Sequence, residues 1–206
     1  MSYYVERYRP KEGEGHNKIL VVTGVPGSGK DYLLSEAKKL GMIPPSVQSF
    51  SFGEVLFDYI KATHPYIQTR DEIRTLLSQD DVRQGVIGVI DRVIKAQPAT
   101  LNTHIVYRQR DSLVTNPDID KRIHPQGYLF VWSEPDQIAT WRAQDISRVR
   151  SPESIDDIAL HQGIALEVVS VIARYTGASL KTIWNRTDNI SDNLSLIQDK
   201  SRTLTL

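Results

Sequence analysis

At 206 residues with 40% hydrophobic content, the chain can close a sizeable core, and one compact domain is the default. Its 25 basic and 25 acidic residues give a formal net charge of zero, so charge offers no reason to expect nucleic acid or an anionic membrane as the main partner. Without cysteine there is no disulfide framework, thiol nucleophile or thiolate metal site. The histidines, His16, His64, His104, His124 and His161, are spaced too widely for local metal-ligand patterns. No apolar run approaches the ~20 residues of a membrane span, and the N-terminus lacks a signal-peptide core. A soluble, cytoplasmic protein is expected.

Residues 1–17 are polar and rich in glycine and charge, which predicts a flexible N-terminal arm ahead of a single domain over 18–206. From Lys18 onward β and α signals alternate, the pattern of a parallel sheet with helices on both faces. Lys18 to Thr23 reads as a buried strand, and Gly29 to Leu40 as a helix stopped by Gly41. A strand at 46–52 precedes a short helix at 53–62. Thr69 to Gln97 reads as a long helical region, opened by the capping box Thr69-x-x-Glu72 and bent or broken at Gly85 and Gly88. Strands at 99–104 and 127–133 are separated by a polar stretch. Helices at 135–146 and 154–176, the latter ended by Gly177, then a strand at 179–185 and a C-terminal helix complete the order.

The segment "ILVVTGVPGSGKDYLL", residues 19–34, carries the sharpest chemistry. A β-branched strand, a turn with Gly24, Gly27 and Gly29, then Lys30 and a helix are the context in which a glycine pattern becomes a phosphate site. The glycines let backbone N–H groups converge on an anion, and the helix start adds partial positive charge. Gly24, Gly27, Ser28, Gly29 and Lys30 would hold the phosphates of ATP, with Lys30 bridging the terminal ones. Where the pattern G-x-x-x-x-G-K-[ST] calls for a magnesium-ligating hydroxyl, this chain has Asp31.

This loop resembles that of the P-loop nucleotide kinases, and the likeness extends well past it. "SFGEVLFDYI" (51–60), "TRDEIRTL" (69–76), "NTH" (102–104), "RVRSPESIDDIALHQ" (148–162) and "TGASLKTIWNR" (176–186) follow in the order and spacing of the short-lid adenylate kinases typical of archaea. The resemblance covers roughly residues 18–190. It implies an α/β P-loop nucleotide kinase fold with a five-stranded parallel sheet, an acceptor-binding segment near 53–96 and a short lid near 142–151. The implied activity is Mg·ATP-dependent phosphorylation of a nucleoside monophosphate, AMP first.

Phosphoryl transfer between two anions asks for positive charge and exclusion of water rather than proton chemistry. The resemblance therefore gives Arg142, Arg148 and Arg150 to the lid as catalytic partners of Lys30, and guanidinium forks suit phosphate. The alternative is a solvated turn in which they pair with Asp145, Glu153 and Asp156. On the acceptor side, Ser51 and Gly53 sit where the second strand enters a helix, and Arg70 and Arg74, four apart, share one helix face. Both arginines could equally pair with Asp71 or Glu72. His104 follows the third strand, at the carboxyl edge where such sheets place ligands, as a substrate-side group or a structural hydrogen-bonder.

Two positions depart from the family pattern, which has Ser or Thr at 31 and an acid at 102. Asp31 and Asn102 move one negative charge across the site without changing its total, so Asp31 could ligate Mg²⁺ or its waters with Asn102 hydrogen-bonded beside it. The competing readings are a P-loop ATPase, or a nucleotide-binding regulatory module weakened by these changes. Small nucleotides are the expected partners, with no nucleic acid or membrane. Trimers occur in the resembled family, and no stretch of this chain by itself demonstrates an interface.

Overall fold

The computed structural model describes residues 16–109, 112–115, 119, 122–145, 153–186 and 189–206, with all of their side chains except those of Asp71, Arg74 and Gln109. In chain order the elements are β1 (Asn17–Thr23), α1 (Lys30–Lys39), β2 (Gln48–Ser51), α2 (Phe52–Thr63), α3 (Arg70–Leu76), α4 (Gln79–Lys95), β3 (Ala99–Asn102), β4 (Val106–Gln109), β5 (Ser112–Thr115), β6 (Pro125–Trp132), α5 (Pro135–Gln144), α6 (Ile155–Thr176), β7 (Ser179–Trp184) and α7 (Ile190–Thr203). Five strands form one parallel sheet in the order β2-β3-β1-β6-β7. No helix among the described residues is long and apolar enough to cross a membrane.

The sheet is covered on both faces because its central strands carry continuous apolar runs, 19–22 in β1 and 128–132 in β6, and successive side chains point to opposite sides. Ile19 and Val21 of β1, with Tyr128 and Phe130 of β6, join Val86, Val89, Ile90 and Val93 of α4 and Ala165 and Val169 of α6. Leu20, Val22, Leu129 and Val131 face the other way, onto Leu33 and Ala37 of α1 and Leu194 and Ile197 of α7. A smaller cluster of Ile60, Ile67 and Ile73 lies under α2 and α3. It supports the segment expected to bind the acceptor, apart from the main core.

Local signals set most helix ends. Thr69 opens α3 with the expected capping box, in which Glu72 accepts from the Gln68 and Thr69 amides at 2.6 and 3.2 Å. Those backbone donors hold the Glu72 carboxyl below its usual range. A second box, Ser154 with Asp157, opens α6, and Gly177 at φ 74° ends it.

Three expectations need correction. The region 69–97 is two helices, broken at extended Leu77 and restarted by Ser78, whose side chain accepts from the Asp81 amide. Gly85 and Gly88 lie inside α4 unbroken, and their reason is packing. A Cβ on Gly85 would come within 2.8 Å of Leu56, and one on Gly88 within 2.5 Å of the Tyr59 ring, so bare backbone lets α2 lie close against α4. The polar stretch after β3 holds an antiparallel pair, β4 with β5, registered from Val106 opposite Thr115 to Gln109 opposite Ser112. Strand and helix bounds also shift by one or two residues; the helix expected to 146, for example, ends at Gln144. Residues 1–15 of the expected arm lie outside the described residues, whereas Asn17 already belongs to β1.

Candidate active site

The loop between β1 and α1 takes its shape from glycines that nothing else could replace. Gly27 and Gly29 both sit at φ 83°, a region costly for any residue with a Cβ. At Gly24 the constraint is close approach, since a Cβ would lie 2.5 Å from the Val131 carbonyl oxygen. At Gly29 both apply: an added Cβ would stand 2.1 Å from Asn185 Nδ2. Lys30, only 4% exposed, folds back into this loop and donates to Gly24 O at 3.0 Å, Val25 O at 2.8 Å and Ser28 Oγ at 3.3 Å. A buried ammonium thus stands at the start of α1, ringed by loop oxygens.

Two loop carbonyls are held from outside, and this decides where the next amides point. Ser28 O accepts from Ser133 Oγ at 2.9 Å and Asn185 Nδ2 at 3.0 Å. Ser133 is in turn clamped by Gln162, which donates to its carbonyl at 2.8 Å and accepts from its amide at 3.2 Å. All four residues are buried. Because a trans peptide sets C=O and N–H antiparallel, drawing Ser28 O inward turns the Gly29 N–H away from the interior. On the other side, Pro26 O accepts from Arg142 Nε at 2.9 Å and Nη2 at 2.6 Å, which likewise turns the Gly27 N–H away from Arg142. Arg142 is also ion-paired to Glu153, and Glu153 reaches Arg108 Nε of β4 at 2.9 Å. Beneath this charge cluster His161 is 1% exposed, its Nε2 3.2 Å from Val106 O, and burial holds its pKa below the ordinary range.

The expected site residues converge on one edge of the sheet. Asn102 ends β3 and is registered between Val22 of β1 and Ser51 of β2, so a single row of the sheet runs from the loop strand to the strand that enters α2. Its Nδ2 donates to Asp31 Oδ1 across from the first turn of α1, which brings the two departures into direct contact. Ser51 stands at the start of α2 with no capping bond from its hydroxyl. Arg70 reaches back over that start: its Nη1 lies 3.6 Å from where a Gly53 Cβ would be, and its Nη2 lies 3.7 Å from Glu54 Oε1. His104 Nδ1 is 2.7 Å from Gly24 O. A carbonyl only accepts, so this contact places a proton on Nδ1 and makes the imidazole a brace of the loop backbone. Arg148 and Arg150 lie outside the described residues, as does the side chain of Arg74.

Sequence reasoning missed Ser133, Gln162, Asn185 and Arg108, whereas its alternative reading of the arginines names Glu153 as a partner, and the Arg142–Glu153 pair is present. Ser133 and Asn185 had a readable signal, a polar residue just past a strand at the carboxyl edge of the sheet. Gln162, inside a helix, had none. Among the described residues no group of three His, Asp or Glu side chains could hold a metal alone. Asp31 does fit a divalent cation that is shared with phosphates. It is exposed, an oxygen donor, adjacent to Lys30, and steadied at one oxygen by Asn102.

A family model described as AAA domain matches residues 23–159. Among curated proteins the chain is similar to an adenylate kinase of Methanoculleus marisnigri, 30% identical over 175 residues, which span 82% of this chain and 90% of that protein. An adenylate kinase of Methanothermobacter thermautotrophicus is 25% identical over 183 residues, spanning 86% and 96% of the two chains. Among solved structures, a shikimate kinase from Bacteroides thetaiotaomicron superposes with a TM-score of 0.55 at 18% identity, covering 91% of this chain and 98% of that one, a likeness of fold. The chain belongs to this family of P-loop kinases, with archaeal adenylate kinases among its relatives.

Proposed function

We propose that the protein transfers the terminal phosphoryl group of Mg·ATP to a nucleoside monophosphate, with AMP the first candidate because adenylate kinases are its relatives. The observation that carries the reading is the loop itself: a buried ammonium at a helix start, ringed by backbone whose Gly27 and Gly29 amides are turned away from their anchors. Incoming phosphate oxygens would replace the carbonyls around Lys30. Ser51, Gly53, Arg70, Arg74 and His104 would address the acceptor, whose phosphate oxygen attacks the terminal phosphorus as the bond to the bridging oxygen breaks and ADP leaves. Lys30, Arg142, Arg148 and Arg150 would stabilise charge on the travelling group. Magnesium, when bound with ATP, neutralises phosphate charge; Asp31 and Asn102 would hold it or its waters.

A second reading is favoured by Asp31 in place of a hydroxyl: a P-loop ATPase, or a regulatory module that binds nucleotide with little transfer. A coupled assay for ADP with Mg·ATP and, in turn, AMP, CMP, UMP, GMP, dTMP and shikimate separates them. We expect ADP formation that depends on the acceptor and is strongest with AMP. Turnover without acceptor means an ATPase, and silence with measurable ATP binding means a binding module.

A further inference from the structure

We infer that Asp31, oriented by Asn102, makes nucleotide binding conditional on a divalent cation, so that the protein discriminates Mg·ATP from free ATP more steeply than a loop with a hydroxyl at that position. This rests on the reading of residues 24–31 as the ATP site. Lys30 and Asp31 are adjacent, and their formal charges cancel. The loop therefore meets a polyphosphate with an ammonium whose attraction is offset by the carboxylate in the first turn of α1, and its net pull comes from backbone dipoles. Replacing that carboxylate by serine or threonine would leave a net positive loop able to hold free ATP.

A cation reverses the sign of the Asp31 contribution, because the carboxylate changes from a repelling neighbour to a ligand of the ion or of its water shell. Asn102 makes this workable. Its amide donates to Oδ1 and leaves Oδ2 for the ion, in an orientation fixed by the register of β3 between β1 and β2. An acid at 102 would instead set two carboxylates against each other whenever the cation is absent. The two residues thus form one device: position 31 supplies the charge and position 102 aims it.

Titration calorimetry on the full chain, with ATP in magnesium and in EDTA at matched ionic strength, tests this. Wild type is expected to bind free ATP at least about 100-fold more weakly than Mg·ATP, as expected for one close like charge near a protein surface. In Asp31→Ser the gap should close to about tenfold, chiefly because free ATP binds better. Asp31→Asn should do the same and should also weaken Mn²⁺ bound in the ATP complex, read by electron paramagnetic resonance. Asn102→Ala should give a gap between wild type and Asp31→Ser. Melting curves without ligand confirm that each variant is folded. A wild-type gap under about threefold, or an unchanged gap in both Asp31 variants, overturns the inference while leaving the ATP site standing. Absence of ATP binding to folded wild type under either condition overturns the site reading and the inference with it.

Discussion

The two carbonyls that steer the loop amides are held by different chemistry. Ser28 O is anchored by a neutral, buried set, Ser133, Asn185 and Gln162, rooted in β6, β7 and α6. Pro26 O is anchored by a guanidinium at the end of α5, and that guanidinium is balanced by Glu153 just ahead of α6. Neutral hydrogen bonds between buried groups are short-range and indifferent to salt, whereas the charged anchor answers to ionic strength and to other charges nearby. One shoulder of the loop is therefore fixed. The other is adjustable, and it adjoins the segment expected to form the lid.

The fixed shoulder should be the least tolerant of change. Gly29→Ala sets a Cβ against Asn185 Nδ2 and demands φ 83° of a residue that resists it. We expect ATP affinity to fall on the order of 100-fold, with about 1–2 kcal/mol of folding stability lost to the backbone strain. Adding Asn185→Ala relieves the contact and not the strain, so the double variant should recover part of the loss, with a clear coupling between the two sites. Calorimetric ATP titration and urea unfolding measure both terms. Wild-type ATP affinity in Gly29→Ala would show that the neutral anchor does not set the loop.

A smaller effect separates the shoulders by salt. Glu153→Gln leaves Arg142, largely buried, and Arg108, partly buried with Asp157 still 3.8 Å away, without their shared carboxylate and should cost about 2 kcal/mol at low ionic strength. Near 1 M salt, where the Debye length is about 3 Å, that cost should shrink. Ser133→Ala should cost about 1 kcal/mol at either ionic strength. Urea midpoints for both variants at the two salt levels decide the matter, and an equal salt response would erase the distinction.

What was legible follows from how far apart the determinants lie. The loop, its lysine, the cap at Thr69 and the stop at Gly177 are local, and so are the alternating faces of β1 and β6; neighbouring residues specify all of them. Gly85 and Gly88 looked like helix breakers because their reason, the approach of α2, lies about 25 to 30 residues away in the chain and leaves no local trace. The break at Leu77 and Ser78 was hidden by apolar residues that kept helical period across it. β4 and β5 escaped notice because each strand is only four residues long and half of those residues are polar. At the site, the loop residues expected to touch phosphate were readable from spacing. The residues that aim it, Ser133, Gln162 and Asn185, come from three separate segments and meet only in the fold.

The weakest lever on the charged shoulder is pH, acting through His161. The imidazole is buried, bonded at Nε2 to Val106 O, and faces Glu153, which favours its charged form, and Arg142 and Arg108, which oppose it. Burial is the largest of these influences and holds its pKa below the unfolded value of 6.5. Between the folded and unfolded values the unfolded chain binds more protons. The stabilising contribution is therefore complete above the unfolded pKa and is lost as pH falls below it, by at most about 1.4 kcal/mol per pH unit. The lowered carboxylates Glu72, Asp81 and Asp157 do not interfere, because their contributions are lost only as pH falls below unfolded values of 4.5, 3.8 and 3.8. Urea midpoints between about pH 7.5 and 5.5 should therefore fall more steeply in wild type than in His161→Gln. Parallel slopes would mean that the imidazole accepts its proton in the folded state as readily as in the unfolded one, and that the charge cluster above it tolerates a further cation.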